Sequence, residues 1–212
     1  MSEVFTINAQ PRNDLGKGAS RRLRRLEGLV PGIVYGSGKA STPISIVYRD
    51  LIKLLENESF YSHILTMNVG DAHEQVVLKD IQRHPAKDIP THIDFLRIDD
   101  THIIRMNVPL HFINEAQCKG VKTGGGVVDH QMTEVEVQCL PQNLPEYIEV
   151  DMADLNLGDA IHLSQLKLPS GVKITALQQG EDHDHTVAMI QATRAGADAA
   201  SEGEEEGATT ES

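Results

Sequence analysis

The sequence predicts a mainly β chain with short helices. A small antiparallel barrel with helices at its edge comes first, then a second all-β domain, then an acidic tail. Three observations predict it. Short runs of Val, Ile and Leu recur between glycine and proline turns across residues 1–98. Apolar and acidic residues alternate strictly in Glu134-Val135-Glu136-Val137 and again in Ile148-Glu149-Val150-Asp151. Charge divides the chain. Residues 1–98 carry 13 Lys and Arg against 11 Asp and Glu, whereas 99–212 carry 6 against 20, so net charges of +2 and −14 make up the total of −12. Such asymmetry implies two jobs: the front half can meet a polyanion and the back half repels one.

Val4 to Ile7 reads as the first strand, and Pro11 to Asp14 as a turn. The densest cationic stretch of the chain follows, Gly16-Lys17-Gly18-Ala19-Ser20-Arg21-Arg22-Leu23-Arg24-Arg25. Ser20 is placed to cap a helix over Arg21 to Glu27, and Gly28 to end it. At about 100° per residue, Leu23 and Leu26 share one face, Arg21, Arg24 and Arg25 spread over the other, and Arg22 lies on the flank. No acid sits at helical spacing to pair with these cations except Glu27. The preceding glycines let backbone amides approach a phosphate closely. The stretch reads as a nucleic-acid contact.

Val30 to Gly36 is a strand closed by the turn Gly36-Ser37-Gly38, and Ile44 to Tyr48 is another. Leu51, Ile52, Leu54 and Leu55 fit one face of a helix over about Arg49 to Asn57. Ile64 to Val69 and Gln75 to Gln82 form a hairpin around Gly70-Asp71. Thr91 to Ile98 is the last front strand, with Ile93 and Phe95 inward and His92 and Asp94 outward; Gln82 points outward if Ile81 points in. The boundary falls at Asp99-Asp100. Beyond it Ile103 to Ile113 is extended, Gly120 to Gly126 is a flexible loop, Thr133 to Leu140 is a strand, and Pro141 to Pro145 links it to the next. From about Arg194 on, no large apolar residue occurs and the tail cannot order itself. The resulting division is 1–98, 99–193 and 194–212.

Several function classes are weak on these residues. No apolar run reaches the roughly 18 residues of a membrane span, and the first ten residues are too polar for a signal peptide. Cys118 and Cys139 lie in no metal or redox spacing and read as small buried hydrophobes of a reducing cytoplasm. Gly16-Lys17 is not a phosphate-binding loop: Pro11 stands where that motif needs glycine, and Gly18 where it needs Ser or Thr. His183-Asp184-His185 offers two imidazoles with no evident further ligand. It would support an enzyme reading only if a metal were bound. A third class is a free stress-response protein that uses its acidic domain on a protein partner.

Four motifs in order carry a resemblance that the patterns alone do not. They are Gly16-Lys17-Gly18-Ala19-Ser20-Arg21-Arg22-Leu23-Arg24, Val30-Pro31-Gly32-Ile33-Val34-Tyr35-Gly36, Gln82-Arg83-His84-Pro85 and His92-Ile93-Asp94-Phe95. They resemble the bacterial large-subunit ribosomal protein number twenty-five family, which binds 5S rRNA. The longer form with an added β domain is the general stress protein CTC type. Likeness continues through Val108-Pro109-Leu110, Gly120-Val121-Lys122, Ile148-Glu149-Val150-Asp151 and Leu157-Gly158-Asp159. The resemblance implies a six-stranded front barrel on 5S rRNA in the central protuberance of the large subunit, beside neighbouring ribosomal proteins. It implies a cytoplasmic, non-enzymatic role in translation, with no cofactor, metal, membrane or small-molecule substrate. By motif, the RNA contacts it implies are Arg12, Lys17, Ser20, Arg21, Arg24, Tyr35, Gln82, His92 and Asp94.

Overall fold

The structure is a computed structural model that describes residues 5–192 apart from Asp71, Asp100, Thr101 and Thr123, with the backbone alone at Glu181. The acidic tail expected over 194–212 lies outside the described residues. By packing, the chain forms two compact units. One holds residues 5–108 with Val137–Glu146 and Pro169–Lys173; the other holds Pro109–Glu136, Tyr147–Leu168 and residues 174–192.

The first unit contains a closed six-stranded barrel. Its strands are β1 (Thr6–Pro11), β2 (Leu29–Gly36), β3 (Lys39–Val47), β4 (Leu65–Val69), β5 (Ala72–Arg83) and β6 (Pro90–Arg97), in the order β1-β3-β2-β6-β5-β4. The barrel and its strand number agree with expectation, but the purely antiparallel pairing does not. β1 pairs β4 in parallel, and β2 pairs β6 in parallel. Parallel neighbours need long crossovers, and the stretch from β3 to α3 supplies one. That stretch includes α2 (Tyr48–Leu55) and α3 (Ser59–Ser62).

The core is aliphatic, as the scarcity of aromatics requires. Ile7, Val34, Ile44, Ile46, Leu65, Met67, Val76, Ile93 and Phe95 fill the barrel, and Leu51 of α2 and Phe60 of α3 close it. Gly32 has a specific task there. A Cβ at that position would stand 2.8 Å from Ile93 Cγ2 and 2.8 Å from the Ile93 carbonyl oxygen, so only glycine lets β2 lie this close to β6.

One polar cluster interrupts the apolar interior. Arg97 is 7% exposed. Its Nε donates to Glu74 Oε2 at 2.7 Å, Nη1 to the carbonyls of Ala40 (3.0 Å) and Val34 (3.3 Å), and Nη2 to Thr42 Oγ1 (2.9 Å). One guanidinium thus joins β6 to β5, β2 and β3. Burial pushes the Glu74 carboxyl up, but Arg97 and Lys39 override it and hold the group below its ordinary value.

The arginine helix differs from expectation. An α-helical segment α1 (Lys17–Arg22) begins four residues earlier, at Lys17 with Gly16 as its cap, and then widens into a π-helical turn over Leu23–Glu27. Ser20 is therefore inside the helix rather than its cap, with its N–H on the Gly16 carbonyl. Gly28 ends the turn in the left-handed region, φ 64°, and donates its N–H to the Leu23 carbonyl five residues back. An i→i+5 turn does not follow a wheel of 3.6 residues. Leu23 is half-buried while Leu26 is 71% exposed, so the expected shared apolar face is not formed.

The remainder is β-rich, as expected. Its strands are β7 (Ile104–Ile113), β8 (Gly126–His130), β9 (Glu134–Cys139), β10 (Ile148–Asp151), β11 (Ala160–His162), β12 (Lys173–Ile174) and β13 (Thr186–Ala192). They form a four-stranded sheet, β10-β7-β9-β12, and a three-stranded sheet, β11-β13-β8. The alternation read in the sequence holds: Val135, Val137, Cys139, Ile148 and Val150 are buried, and Glu134, Glu136, Glu149 and Asp151 are exposed. The glycine-rich loop is corrected. Lys119–Lys122 is a helical turn, α4, and Gly126 already belongs to β8. A Cβ on Gly120 would meet the Asn156 carbonyl carbon at 2.7 Å, and one on Gly126 would meet Leu157 Cδ1 at 2.7 Å. Gly120 makes room for the Asn156–Leu157 backbone, and Gly126 for the side chains of Leu157 and Ile190.

Candidate nucleic-acid interface

Nine residues were expected at the site, and all lie in the first unit. Arg12, Lys17, Ser20, Arg21 and Arg24 belong to the segment from the end of β1 through the π turn. Tyr35 is on β2, Gln82 on β5, and His92 and Asp94 on β6.

The cations divide by what already holds them. Arg21, Arg25 and Lys17 are exposed, and their side chains have no hydrogen bond or ion pair among the described residues. Arg22 pairs with Asp14 at 3.2 Å, an exposed contact from the loop before the helix; the acid lies outside helical spacing and was missed for that reason. Such a pair contributes at most about 1 kcal/mol and leaves the guanidinium available. Arg12 donates to Ser20 Oγ at 3.3 Å, and its buried Nε has no partner among the described residues. Arg24 Nη1 donates to the Thr91 carbonyl at 2.9 Å. That bond ties the π turn to β6 one residue before His92.

The barrel face next to it is polar and built by register. Ile93 and Phe95 are buried, while His92 and Asp94 are half-buried on the opposite side. Gln82 faces His92 across β5 and β6, and Asp80 faces Asp94. His92 Nδ1 lies 2.7 Å from Asp94 Oδ1, but out of line for a hydrogen bond, so Nδ1 has no aligned partner. On the other flank Ile33 of β2 neighbours Asp94. Tyr35 senses the same patch. Burial raises its phenol pKa, and the charges of Asp94 and Asp80 raise it further.

Between the π turn and the β5–β6 loop lies a cleft of about 590 Å³. Arg21, Arg22, Arg24, Arg25 and Leu26 line one side, and His84, Ile89 and Thr91 the other. Leu26, His84, Ile89 and Asp80 are not among the contacts expected from the sequence. The first three come together only through the crossover from β2 to β6. His183 and His185 meet edge to face, and Asp184 is taken up by the Ser164 amide (3.0 Å) and hydroxyl (2.7 Å). Among the described residues no group of three or more His, Cys, Asp or Glu is disposed to hold a metal ion. No helix among them is long and apolar enough to cross a membrane.

Comparison with known proteins decides the family. The sequence model of the Ribosomal L25p family matches residues 7–95, and that of Ribosomal protein TL5, C-terminal domain, matches residues 103–194. The large ribosomal subunit protein bL25 of Marinobacter nauticus is 58% identical over 205 residues, 97% of each chain. This chain belongs to the bL25 family. The bL25 protein of Saccharophagus degradans is 58% identical over 189 residues, covering 89% of this chain and 90% of that one. That of Alcanivorax borkumensis is 56% identical over 209 residues, covering 97% and 98%. The bL25 family is one of structural ribosomal proteins of the large subunit, not of enzymes.

Proposed function

We propose that this bL25-family chain binds 5S rRNA through residues 1–98 and helps to hold the central protuberance of the large subunit on the cytoplasmic ribosome. In this reading the acidic part of the chain, from residue 99 on, takes no part in the RNA-binding surface. The observation that carries it is the bond from Arg24 to the Thr91 carbonyl. It sets the cationic turn beside the strand that presents His92 and Asp94, so phosphate-binding and base-reading groups act as one surface.

The chemistry fits an irregular RNA. Regular RNA duplexes hide their base edges in a deep, narrow groove, so sequence is read where the helix opens. Arg21 and Lys17 meet phosphates, and arginine can take two phosphate oxygens at once. Arg12, Ser20 and Arg24 hold the segment in position and extend the surface. Tyr35, Gln82 and His92 offer donors and acceptors to bases. Asp94 is repelled by phosphate and serves as an acceptor from a base amino or imino group.

Salt-dependent binding of the full chain to 5S rRNA tests this. Arg21 has no protein partner among the described residues, so Arg21→Gln removes an RNA contact and little else. The logarithmic salt slope should fall by roughly 0.7 to 0.9. An unchanged slope would mean that the turn faces away from RNA.

A further inference from the structure

We infer that the cleft between the π turn and the β5–β6 loop holds one unpaired RNA nucleotide. Its base lies against Leu26 and Ile89, and its phosphate on Arg21 and Arg25. The inference deepens the RNA-binding reading above and rests on it.

The cleft combines two surfaces that are seldom found together. Leu26 is 71% exposed at the end of the most cationic stretch of the chain, and Ile89 is 37% exposed across the cleft from it. The π turn causes this, because it takes Leu26 out of register with half-buried Leu23. Base-paired RNA offers phosphates but keeps its base faces stacked. An unpaired nucleotide offers both a phosphate and a bare base face. An apolar peptide or acyl chain would match the leucine and isoleucine but leave the guanidinium groups without a counter-charge.

The walls are also fixed in advance. Arg24 anchors the π turn to Thr91, and the Gly28 carbonyl accepts the Tyr48 N–H at 3.0 Å. Across the cleft Arg83 donates to the Asp88 carbonyl and carboxylate, both at 3.2 Å, and to the Tyr61 hydroxyl at 2.8 Å. The His84 N–H is held by the Ile89 carbonyl at 2.8 Å. Ala86 N–H donates to His84 Nδ1 at 3.2 Å. The neutral ring therefore carries its proton on Nε2, a donor for a base carbonyl. A volume of about 590 Å³ lies within the range of small-ligand sites.

The test uses the full chain and 5S rRNA. Each unpaired nucleotide of the RNA is replaced in turn by an abasic one, and affinity for the parent protein is measured at one salt concentration. One position should lose about tenfold. Leu26→Ala with Ile89→Ala should cost a similar factor on intact RNA and leave the salt slope unchanged, since no phosphate contact is lost. The two losses should not multiply when that abasic RNA meets that variant. Two results would overturn the cleft assignment: no sensitive position in the scan, or losses that multiply at every position. The scan with the parent protein stands even if the variant is unstable. Failure of the parent to bind 5S rRNA at all would instead sink the RNA reading, and this one with it.

Discussion

Asp80 and Asp94 oppose each other across β5 and β6. The pairing depends on the irregularity between Leu78 and Asp80, where Lys79 is the extra residue. Leu78 faces inward opposite Phe95; without the extra residue, strict alternation would turn Asp80 inward too. The bulge restores the phase, so Ile81 meets Ile93 and both carboxylates stand outside. Like charges in direct opposition are unfavourable. Their persistence on the candidate RNA face is consistent with a task for at least one of them.

Tyr35 reports on that pair. Its phenol is raised by burial and then by Asp94 and Asp80, which disfavour the phenolate. Asp94→Asn removes one negative charge, so Tyr35 should ionise at lower pH than in the parent, closer to its ordinary 10.0. Absorbance titration of both proteins, each compared with its Tyr35→Phe form, isolates this residue. No downward shift would mean that Asp94 does not act on Tyr35.

The same substitution separates base contact from phosphate repulsion. If Asp94 accepts from a base, Asp94→Asn should weaken 5S rRNA binding by about 1–3 kcal/mol while binding to an unrelated duplex stays level or rises. Equal or tighter binding to both RNAs at one salt concentration would refute base reading by β6.

The Arg97–Glu74 pair predicts a stability effect with a defined pH sense. Arg97→Met leaves Glu74 without its chief partner and should destabilise the barrel by about 3–5 kcal/mol in urea denaturation. Glu74 has a folded pKa below its ordinary 4.5, so its ionised form favours folding above that value. Parent and Glu74→Gln should therefore differ most above about pH 5, and converge as pH falls through the lowered folded value. A difference that grows toward acid pH would contradict the ion pair.

Gly120 predicts a steric effect in the second unit. Gly120→Ala puts a Cβ 2.7 Å from the Asn156 backbone and should cost about 1–3 kcal/mol, seen as a lowered Tm. Gln117→Ala on the neighbouring exposed turn should stay within about 0.5 kcal/mol. Equal effects would show that the glycines make no cradle.

Local pattern determined much of this protein on its own. Alternation placed Ile93 and Phe95 inside and His92 and Asp94 outside, and it placed the acidic faces of β9 and β10, because side-chain direction in a strand depends only on the residue's place in the count. The density of arginine between Arg21 and Arg25 marked the cationic turn before any fold was known. Tertiary structure decided what such counting cannot reach. Parallel pairing of β2 with β6 joins residues some sixty positions apart, and no nearby residue encodes it. Leu26 is exposed because a π turn displaced it from the α-helical face that the spacing predicts. Asp80 faces Asp94 because one extra residue shifted the register. Nothing in the residues around Arg97 marks it as a buried centre, yet three other strands bring their carbonyl, hydroxyl and carboxylate oxygens to it. In each case the deciding partner is distant in sequence or the local period is broken, and only closing the barrel settles where the side chain goes.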